Sequence, residues 1–146
     1  MLKQAYPELV DVHLPTEANA NSMVLASIRK RAAGDGTRII KAIWDAFEQH
    51  VDLKFVMVFD EEDVKLRDWH DVIWAITTRM DPARDTLVRG NAVDDLESLV
   101  AAVGSKMGLD ATNKWPGEST REWGTPISKD PAIVAKVDDM WSKLGL

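Results

Sequence analysis

The sequence contains no cysteine among its 146 residues, and it is poor in basic residues. Without cysteine, disulfide bonds, thiolate metal sites and a cysteine nucleophile are excluded. Lys and Arg number 18 against 24 Asp and Glu, for a formal net charge of −6, which argues against a general surface for nucleic acid or anionic membranes. The longest apolar runs, such as residues 55–59, are too short to span a bilayer. Residues 1–8 (MLKQAYPE) lack the apolar stretch of a secretory signal. We expect a cytoplasmic protein that binds no nucleic acid.

Motifs for phosphate binding and for nucleophilic catalysis are also missing. Neither G-x-G-x-x-G nor G-x-x-x-x-G-K-[ST] occurs, so no nucleotide-phosphate loop is predicted. The histidines, His13, His50 and His70, lie far apart without metal-ligand spacing. His13 and His70 have pKa values suited to general bases, but neither has a serine or carboxylate partner at motif spacing. The alternative is a strand surface residue for His13 and a first-turn helix residue for His70.

Tryptophan, in contrast, is abundant, with six residues in a short chain. Large aromatic side chains are enriched in cores and in interfaces, so an interface is an early expectation. A chain of this length buries roughly 68–70% of its unfolded surface, which is enough for one core. We find no internal repeat and no low-complexity linker, and predict a single domain over residues 1–146.

The apolar pattern predicts an α/β domain with a layered mixed sheet and flanking helices. The predicted order is a β-β-α-β-α-β core, then a long ordered loop and a C-terminal helix. Strands are predicted at 9–14, 23–28, 54–59 and 85–88, and helices at 37–50, 68–78, 91–103 and from 130 onward. Asp35 or Thr37 could cap the first helix, and Asp68 is the expected N-cap of the second. The apolar face of that second helix is predicted to consist of Trp69, Val72, Ile73 and Ile76. The second strand is expected to pair antiparallel with the first. The strand at 54–59 is apolar on both faces and is expected to be central.

The least periodic stretch is residues 104–123, GSKMGLDATNKWPGESTREW. A loop this long in a small domain is usually functional or disordered, and its large apolar residues argue against disorder. We predict an ordered loop that docks on another surface. Trp115 and Trp123 would anchor it, glycines at 104, 108 and 117 would turn it, and Lys106, Asp110 and Lys114 would pair within the protein or across an interface. A site for an anion at GSKMG is the weaker alternative.

Two charged groups allow a functional and a structural interpretation. The acidic run Asp60–Asp63 follows the central strand, at the sheet edge where ligands bind; it could hold Mg²⁺, resemble a phosphorelay receiver pocket, or form a solvated turn. Arg79 ends a helix as Thr77-Thr78-Arg79, where it could complement the helix dipole or clamp a carboxylate with its planar fork. The sequence leaves these alternatives open.

The C-terminal helix from Asp130 has a stripe of apolar residues: Ile133, Val134, Val137, Met140, Trp141 and Leu144. Such a stripe packs on the core of its own chain or, after a long loop at a chain end, on another subunit. Both arrangements remain open at this point.

Two long motifs, HDVIWAITTRMDPARDTLV and GSKMGLDATNKWPGESTREWGTPI, resemble the C-terminal part of UbiD-type decarboxylases. That family includes 4-hydroxy-3-polyprenylbenzoate decarboxylase (3-octaprenyl-4-hydroxybenzoate carboxy-lyase) of ubiquinone biosynthesis. YPELVDVHLP, AIWDAF and KFVMVFDEEDVKLRDW fit the same region in the same order, so the resemblance covers essentially the whole chain. It departs from the family pattern at residues 91–103.

The resemblance implies a C-terminal domain of a longer carboxy-lyase, here as an excised domain or a truncated gene product. The complete enzyme would bind prenylated FMN with Mn²⁺ and K⁺ and decarboxylate an aromatic acid, with its catalytic residues in the N-terminal part. We therefore assign no catalytic, cofactor-binding or metal residue to this chain, and expect it to be inactive in isolation. It would supply a wall of the substrate cleft, at Thr77, Thr78 and Arg79, and part of a homo-oligomer interface. Membrane association through a polyprenyl substrate is an open alternative to a purely cytoplasmic location.

Overall fold

The computed structural model describes residues 2–18, 22–47, 53–90, 105–121 and 129–144. Its helices are α1 (Leu2–Ala5), α2 (Asp35–Ala46), α3 (Trp69–Arg79), α4 (Pro82–Asp85) and α5 (Pro131–Leu144), with a 3-10 turn at Thr16–Ala18. Its strands are β1 (Leu9–His13), β2 (Met23–Ile28), β3 (Phe55–Asp60), β4 (Thr86–Gly90) and β5 (Ser105–Asp110). The predicted helix at 91–103 lies outside the described residues.

The five strands form one mixed sheet in the order β1-β2-β3-β5-β4. The inner strands β2, β3 and β5 run parallel, while β1 and β4 pair antiparallel at the two edges. The layered α/β fold, the antiparallel pairing of β1 with β2 and the central position of β3 are thereby confirmed.

The prediction of a loop over residues 104–123 is wrong in its first part. Residues Ser105–Asp110 form β5, an inner strand between β3 and β4. Gly108 does not turn the chain. It lies where α2 crosses the sheet, and a Cβ there would be 2.3 Å from Cγ2 of Ile40 and 3.1 Å from the Trp44 ring. The glycine serves a close approach of helix and strand, which explains why the strand has a weak apolar signature.

The two faces of the sheet carry separate apolar clusters because side chains alternate along each strand. One face packs against α2 through Ile39, Ile40, Ile43 and Trp44. The opposite face packs against α3 and the segment before it, through Val64, Leu66, Val72 and Ala75. Parallel strands covered on both faces are the expected arrangement for this class of fold.

The helix termini agree with the sequence at α3 and differ at α2. The carboxylate of Asp68 accepts the backbone N–H of His70, which confirms Asp68 as the N-cap of α3. Helix α2 begins after Gly34, whose φ is 85°, instead of being capped by Asp35 or Thr37. Asp35 lies inside the first turn and accepts the N–H groups of the preceding segment.

The apolar face predicted for α3 is only partly correct. Val72 is buried and Ile76 half-buried as expected, but Ile73 is 54% and Trp69 37% exposed. The buried stripe of α3 instead passes through Val72, Ala75 and Arg79. Within residues 129–144, no side chain of α5 is buried, so this helix does not pack on its own core as one alternative required. Among the described residues, none of the helices is long and apolar enough to cross a membrane.

Candidate functional site

The carboxyl ends of β2, β3 and β5 meet at one edge of the sheet and open into a cleft of about 250 Å³. This is the edge where open α/β sheets bind ligands. The lining is strongly charged and includes one large aromatic side chain: Ile28, Arg29, Lys30, Asp60, Glu61, Glu62, Asp63, Asn113 and Trp115. Both ends of the predicted acidic turn and one predicted anchor, Trp115, are therefore brought together here.

Arg79 is the clamp of the acidic turn. Its guanidinium is buried and donates to Oδ2 of Asp60 at 3.0 Å and to Oδ2 of Asp63 at 2.8 Å. Its face also lies 4.9 Å from the centre of the Trp74 ring. The carboxylates that Arg79 binds belong to its own chain, so the fork geometry is used to fix the turn after β3 onto the end of α3.

Opposing influences act on the pKa of the Asp60 carboxyl. Burial raises the pKa of its carboxyl above the usual range, while the N–H of Asn113, at 2.5 Å, and the charges of Arg79 and Lys30 act against that rise. Glu61, the next residue, pairs with the exposed Arg29 at 2.7 Å. Among the described residues, no group of three or more His, Asp or Glu is placed to hold a metal ion.

Lys30 connects the end of β2 to the segment after β5. Its side chain is only 2% exposed, and its Nζ donates to Oε2 of Glu118 at 2.6 Å, to the carbonyl of Asn113 at 2.7 Å and to Oγ1 of Thr112 at 3.2 Å. Glu118 also accepts the N–H groups of Gly34 and Trp115. The segment 112–118 is thus tied across the cleft by one buried cation and one carboxylate.

Trp115 faces this cation and borders the cleft. Its ring centre lies 6.0 Å from Nζ of Lys30, and the residue is 39% exposed. Gly117, with φ of 95°, provides the turn that brings the Glu118 carboxylate back to the backbone N–H of Trp115. Trp123, the second predicted anchor, lies outside the described residues.

Lys114 forms a second buried network beside the cleft. Its side chain is 2% exposed, and Nζ lies 3.2 Å from Oδ1 of Asp110 and 3.3 Å from Oδ1 of Asp85. Asp110 also accepts the N–H and hydroxyl of Thr112. Lys106 lies in β5, opposite Arg89 of β4. Lys114 and Asp110 thus form an internal pair, and Lys106 lies apart from it.

The three residues proposed for the pocket side are not alike. Thr77 and Thr78 are exposed, and their hydroxyls donate to the carbonyls of Ile73 and Trp74 one turn earlier in α3. Arg79 is buried in its clamp. His13 lies half-buried in β1 and His70 is exposed in the first turn of α3; neither lines the cleft.

Sequence reasoning missed Lys30, Asn113 and Glu118. They belong to two different segments, more than 80 positions separate Lys30 from its partners Asn113 and Glu118, and no short motif joins them. The available signal was the position of Lys30 two residues after the end of a predicted strand, because such residues lie at the ligand-binding edge.

Comparison with known proteins gives a consistent family. The family model of the 3-octaprenyl-4-hydroxybenzoate carboxy-lyase C-terminal domain matches residues 1–111. An evolved dimeric form of the UbiD-class enzyme HmfF from Pelotomaculum thermopropionicum, solved in complex with prFMN, is 30% identical with a TM-score of 0.66. The match covers 91% of this chain and 26% of that chain.

Two further solved structures have the same fold. The 3,4-dihydroxybenzoic acid decarboxylase of Enterobacter cloacae is 25% identical with a TM-score of 0.65, over 93% of this chain and 30% of that chain. The vanillic acid decarboxylase of Sedimentibacter hydroxybenzoicus is 23% identical with a TM-score of 0.78, over 98% and 30%. The chain thus spans between 26% and 30% of the length of these relatives. Because the family model matches 111 of its 146 residues, the chain belongs to the family of the 3-octaprenyl-4-hydroxybenzoate carboxy-lyase C-terminal domain.

Proposed function

We propose that this chain is the non-catalytic C-terminal domain of a UbiD-class decarboxylase, where it supplies one wall of the active-site cleft and part of an oligomer interface. The observation that carries the proposal is the state of the cleft's charges. Arg29 and Lys30, the cations that line the cleft, are each paired with a carboxylate of the same chain. The buried Arg79 binds two of the carboxylates that line it, Asp60 and Asp63. Groups so engaged hold a wall in shape and are poorly suited to acid–base work on a substrate.

The same charges fit the family's cofactor badly. The phosphate of a flavin mononucleotide needs cations, whereas the cleft is lined by four carboxylates, Asp60–Asp63, and its cations are paired. Prenylated FMN supplies an electron sink for decarboxylation wherever it is bound. We propose that the remaining part of the enzyme holds it with Mn²⁺ and K⁺, and we assign no step through it to these residues.

For the substrate, we propose 4-hydroxy-3-polyprenylbenzoate and a role in ubiquinone biosynthesis. The description of the matching family supports this choice. Solved relatives named for vanillic acid and 3,4-dihydroxybenzoic acid support the broader class of aromatic acids. A complete enzyme ending in this domain should release CO₂ from the polyprenylated acid faster than from vanillate; the reverse preference would reject the substrate and leave the family unaffected.

Thr77 and Thr78, at the end of α3, remain the residues that we propose to contact the substrate, because their side chains are exposed there. Arg79 fixes this end of the helix through its bonds to Asp60 and Asp63. In a complete enzyme, the double change Thr77→Val and Thr78→Val should raise KM with little change in kcat. An unchanged KM would remove these residues from the pocket.

The isolated chain should be inactive. Incubation with prenylated FMN, Mn²⁺, K⁺ and 4-hydroxybenzoate-type acids should give CO₂ at the background rate of the cofactor alone. Release above that rate would contradict the proposal.

A second candidate function is an assembly module with no role at the active site. Helix α5 favours it, because none of its side chains within residues 129–144 is buried although they include six large apolar ones. Sedimentation of the 146-residue chain over a wide concentration range tests this role, and a strictly monomeric protein would count against it.

A further inference from the structure

The outer face of α3 carries a row of side chains that leads away from the cleft. Trp69, Ile73 and Thr77 follow one another at intervals of four residues, so they lie one above the other on the helix surface. Trp69 is 37% and Ile73 54% exposed, and Thr77 is exposed as well. The row ends beside the cleft at Thr77, because the nearby Arg79 binds two of the carboxylates that line the cleft.

The two threonine hydroxyls at the cleft end can accept a hydrogen bond but have already donated their protons. A threonine hydroxyl has one proton and two acceptor lone pairs. Oγ1 of Thr77 donates to the carbonyl of Ile73 at 2.8 Å, and Oγ1 of Thr78 donates to the carbonyl of Trp74 at 2.7 Å. A ligand that bonds these oxygens must therefore bring a donor. In a 4-hydroxybenzoate that donor is the phenolic hydroxyl, since an ionised carboxylate can only accept.

The far end of the row is a tryptophan whose polar group is already bonded within the chain. The indole of Trp69 has one N–H donor and no acceptor. The pKa of the Glu17 carboxyl is lowered by the backbone N–H of Glu17 and, next, by a hydrogen bond from the Trp69 side chain. The exposed part of the Trp69 ring is therefore left with apolar contacts, and Ile73 beside it has no polar side-chain atom. Beyond Thr77, the row can recognise only hydrocarbon.

We propose that Trp69 and Ile73 hold the polyprenyl chain of the substrate, and that Thr77 and Thr78 accept the proton of its 4-hydroxyl group. This inference rests on the proposed substrate and on its proposed contact with the two threonines. The polyprenyl chain is attached to ring carbon 3, which is adjacent to the carbon that bears the hydroxyl. A hydroxyl bound at Thr77 therefore places the first isoprene unit against Ile73. The carboxylate lies on the opposite side of the ring and points away from α3.

The size and charge of the row suit an isoprenoid chain. Trp69 and Thr77 are eight residues apart, which is about 12 Å along the helix axis. An isoprene unit adds four chain bonds of about 1.5 Å, or about 5 Å in extended form, so the row accommodates about two units. A stable protein interface needs about 800 Å² on each partner, more than three side chains offer. The row also contains no acidic or basic residue, whereas the cleft is lined by four carboxylates.

Competitive inhibition of a complete enzyme by product analogues tests the hydrocarbon contact. The probes are phenol and 2-geranylphenol, which carries two isoprene units, and we expect 2-geranylphenol to inhibit more strongly. Ile73→Gln should raise the Ki of 2-geranylphenol about tenfold and leave the Ki of phenol unchanged. His70→Gln is the matched control, because His70 is exposed on the same helix but lies outside the row, and it should change neither Ki. If Ile73→Gln raises both inhibition constants equally, or neither, the assignment of the row is wrong.

A third inhibitor, 2-geranylanisole, tests the hydrogen bond to the threonines, because methylation removes the proton of the phenolic hydroxyl. In the unmodified enzyme, the Ki of 2-geranylanisole should be about fivefold higher than that of 2-geranylphenol. The double change Thr77→Val and Thr78→Val should abolish this difference, because valine has the shape of threonine but no acceptor. A fivefold difference that persists in the double variant would refute the contact with the hydroxyl.

The outcomes separate this inference from the proposals on which it rests. If Ile73→Gln has no effect while the double threonine change still raises KM for the acid, the polyprenyl chain lies elsewhere and the substrate contact at the threonines stands. If the double change leaves KM unaltered, that contact and the inference are both wrong. If 2-geranylphenol inhibits the unmodified enzyme no better than phenol, the inference is wrong together with the choice of a polyprenylated substrate.

Discussion

Replacing Arg79 with methionine should destabilise the fold by about 3 kcal/mol at pH 7. The guanidinium is 5% exposed and bonds both Asp60 and Asp63. Removing one partner of a buried ion pair costs about 3–5 kcal/mol, because the other charge remains buried without compensation. The lower end applies here, since the Asp63 side chain is 25% exposed and the N–H of Asn113 still donates to Asp60.

The size of this loss should depend on pH through Asp60. Burial raises the pKa of Asp60, and the charge of Arg79 is one of the influences that oppose the rise. A raised pKa means that the folded state binds more protons than the unfolded state, so stability decreases as pH rises from about 3.9 through the folded pKa. Arg79→Met raises that pKa further. The destabilisation should therefore be largest at neutral pH and shrink as the pH falls toward 4.

Urea unfolding followed by tryptophan fluorescence, at pH 7 and pH 5, measures both effects. Arg29→Met is the matched control, because Arg29 is 66% exposed and pairs with Glu61 at the surface. An exposed pair contributes about 0–1 kcal/mol. Equal losses of unfolding free energy for the two variants, or a loss for Arg79→Met that does not vary with pH, would refute the structural role of Arg79. Either result would favour its assignment to the substrate pocket.

Three further predictions concern the strand β5 and the segment after it. Gly108→Ala should destabilise the chain by about 1–3 kcal/mol, because the added Cβ would lie 2.3 Å from Cγ2 of Ile40; thermal unfolding measures the loss. Burial acts to raise the pKa of Glu118, but the hydrogen bonds that it accepts, above all from Lys30, lower it overall. Its stabilising contribution is present above about pH 4.5 and lost as pH falls, so Glu118→Gln should flatten the acid decline of stability. Trp115→Ala should lower stability or assembly of a complete enzyme and leave its turnover unchanged.

Each of these has a control within the chain. Gly90→Ala adds a Cβ with nothing within 4 Å, and a loss equal to that at Gly108 would contradict the packing argument. Glu62→Gln changes an exposed glutamate of the same cleft and should leave the acid decline as it is. A complete enzyme with Trp115→Ala that kept its fold and oligomer but lost turnover would place the tryptophan at the active site.

The elements that sequence reasoning located are those whose signals are local. The bounds of β2 at Met23–Ile28 agree with the sequence prediction, because β-branched and apolar residues between turn signals need no distant partner to identify a strand. The N-cap of α3 is recognisable for the same reason, since Asp68 bonds an N–H only two residues ahead. Fold class followed from the order of such elements.

Strand β5 was missed because its sequence is determined by a partner distant in the chain. Gly108 replaces an apolar residue where the strand touches α2, and Asp110 packs against Gly36 at the start of that helix, where a Cβ would lie 2.2 Å from its carboxylate. The presence of Gly108 and of Asp110 each removes one apolar position from the alternating pattern that identifies a strand. The apolar alternation is weak in β5 because contacts with α2 at two positions determine which residues the strand can carry.

The partners of the acidic run were missed for a related reason, because they lie far from it in the sequence. An acidic run after a central strand is visible in the sequence, but its partners decide whether it is a metal site, a receiver pocket or a clamp. Arg79 binds the run from 16 and 19 positions away, and Lys30 closes the cleft from more than 80. A carboxylate whose cation lies that far along the chain cannot be distinguished locally from one that awaits a ligand. The charge balance of the cleft is therefore a property of the fold, which the local sequence does not determine.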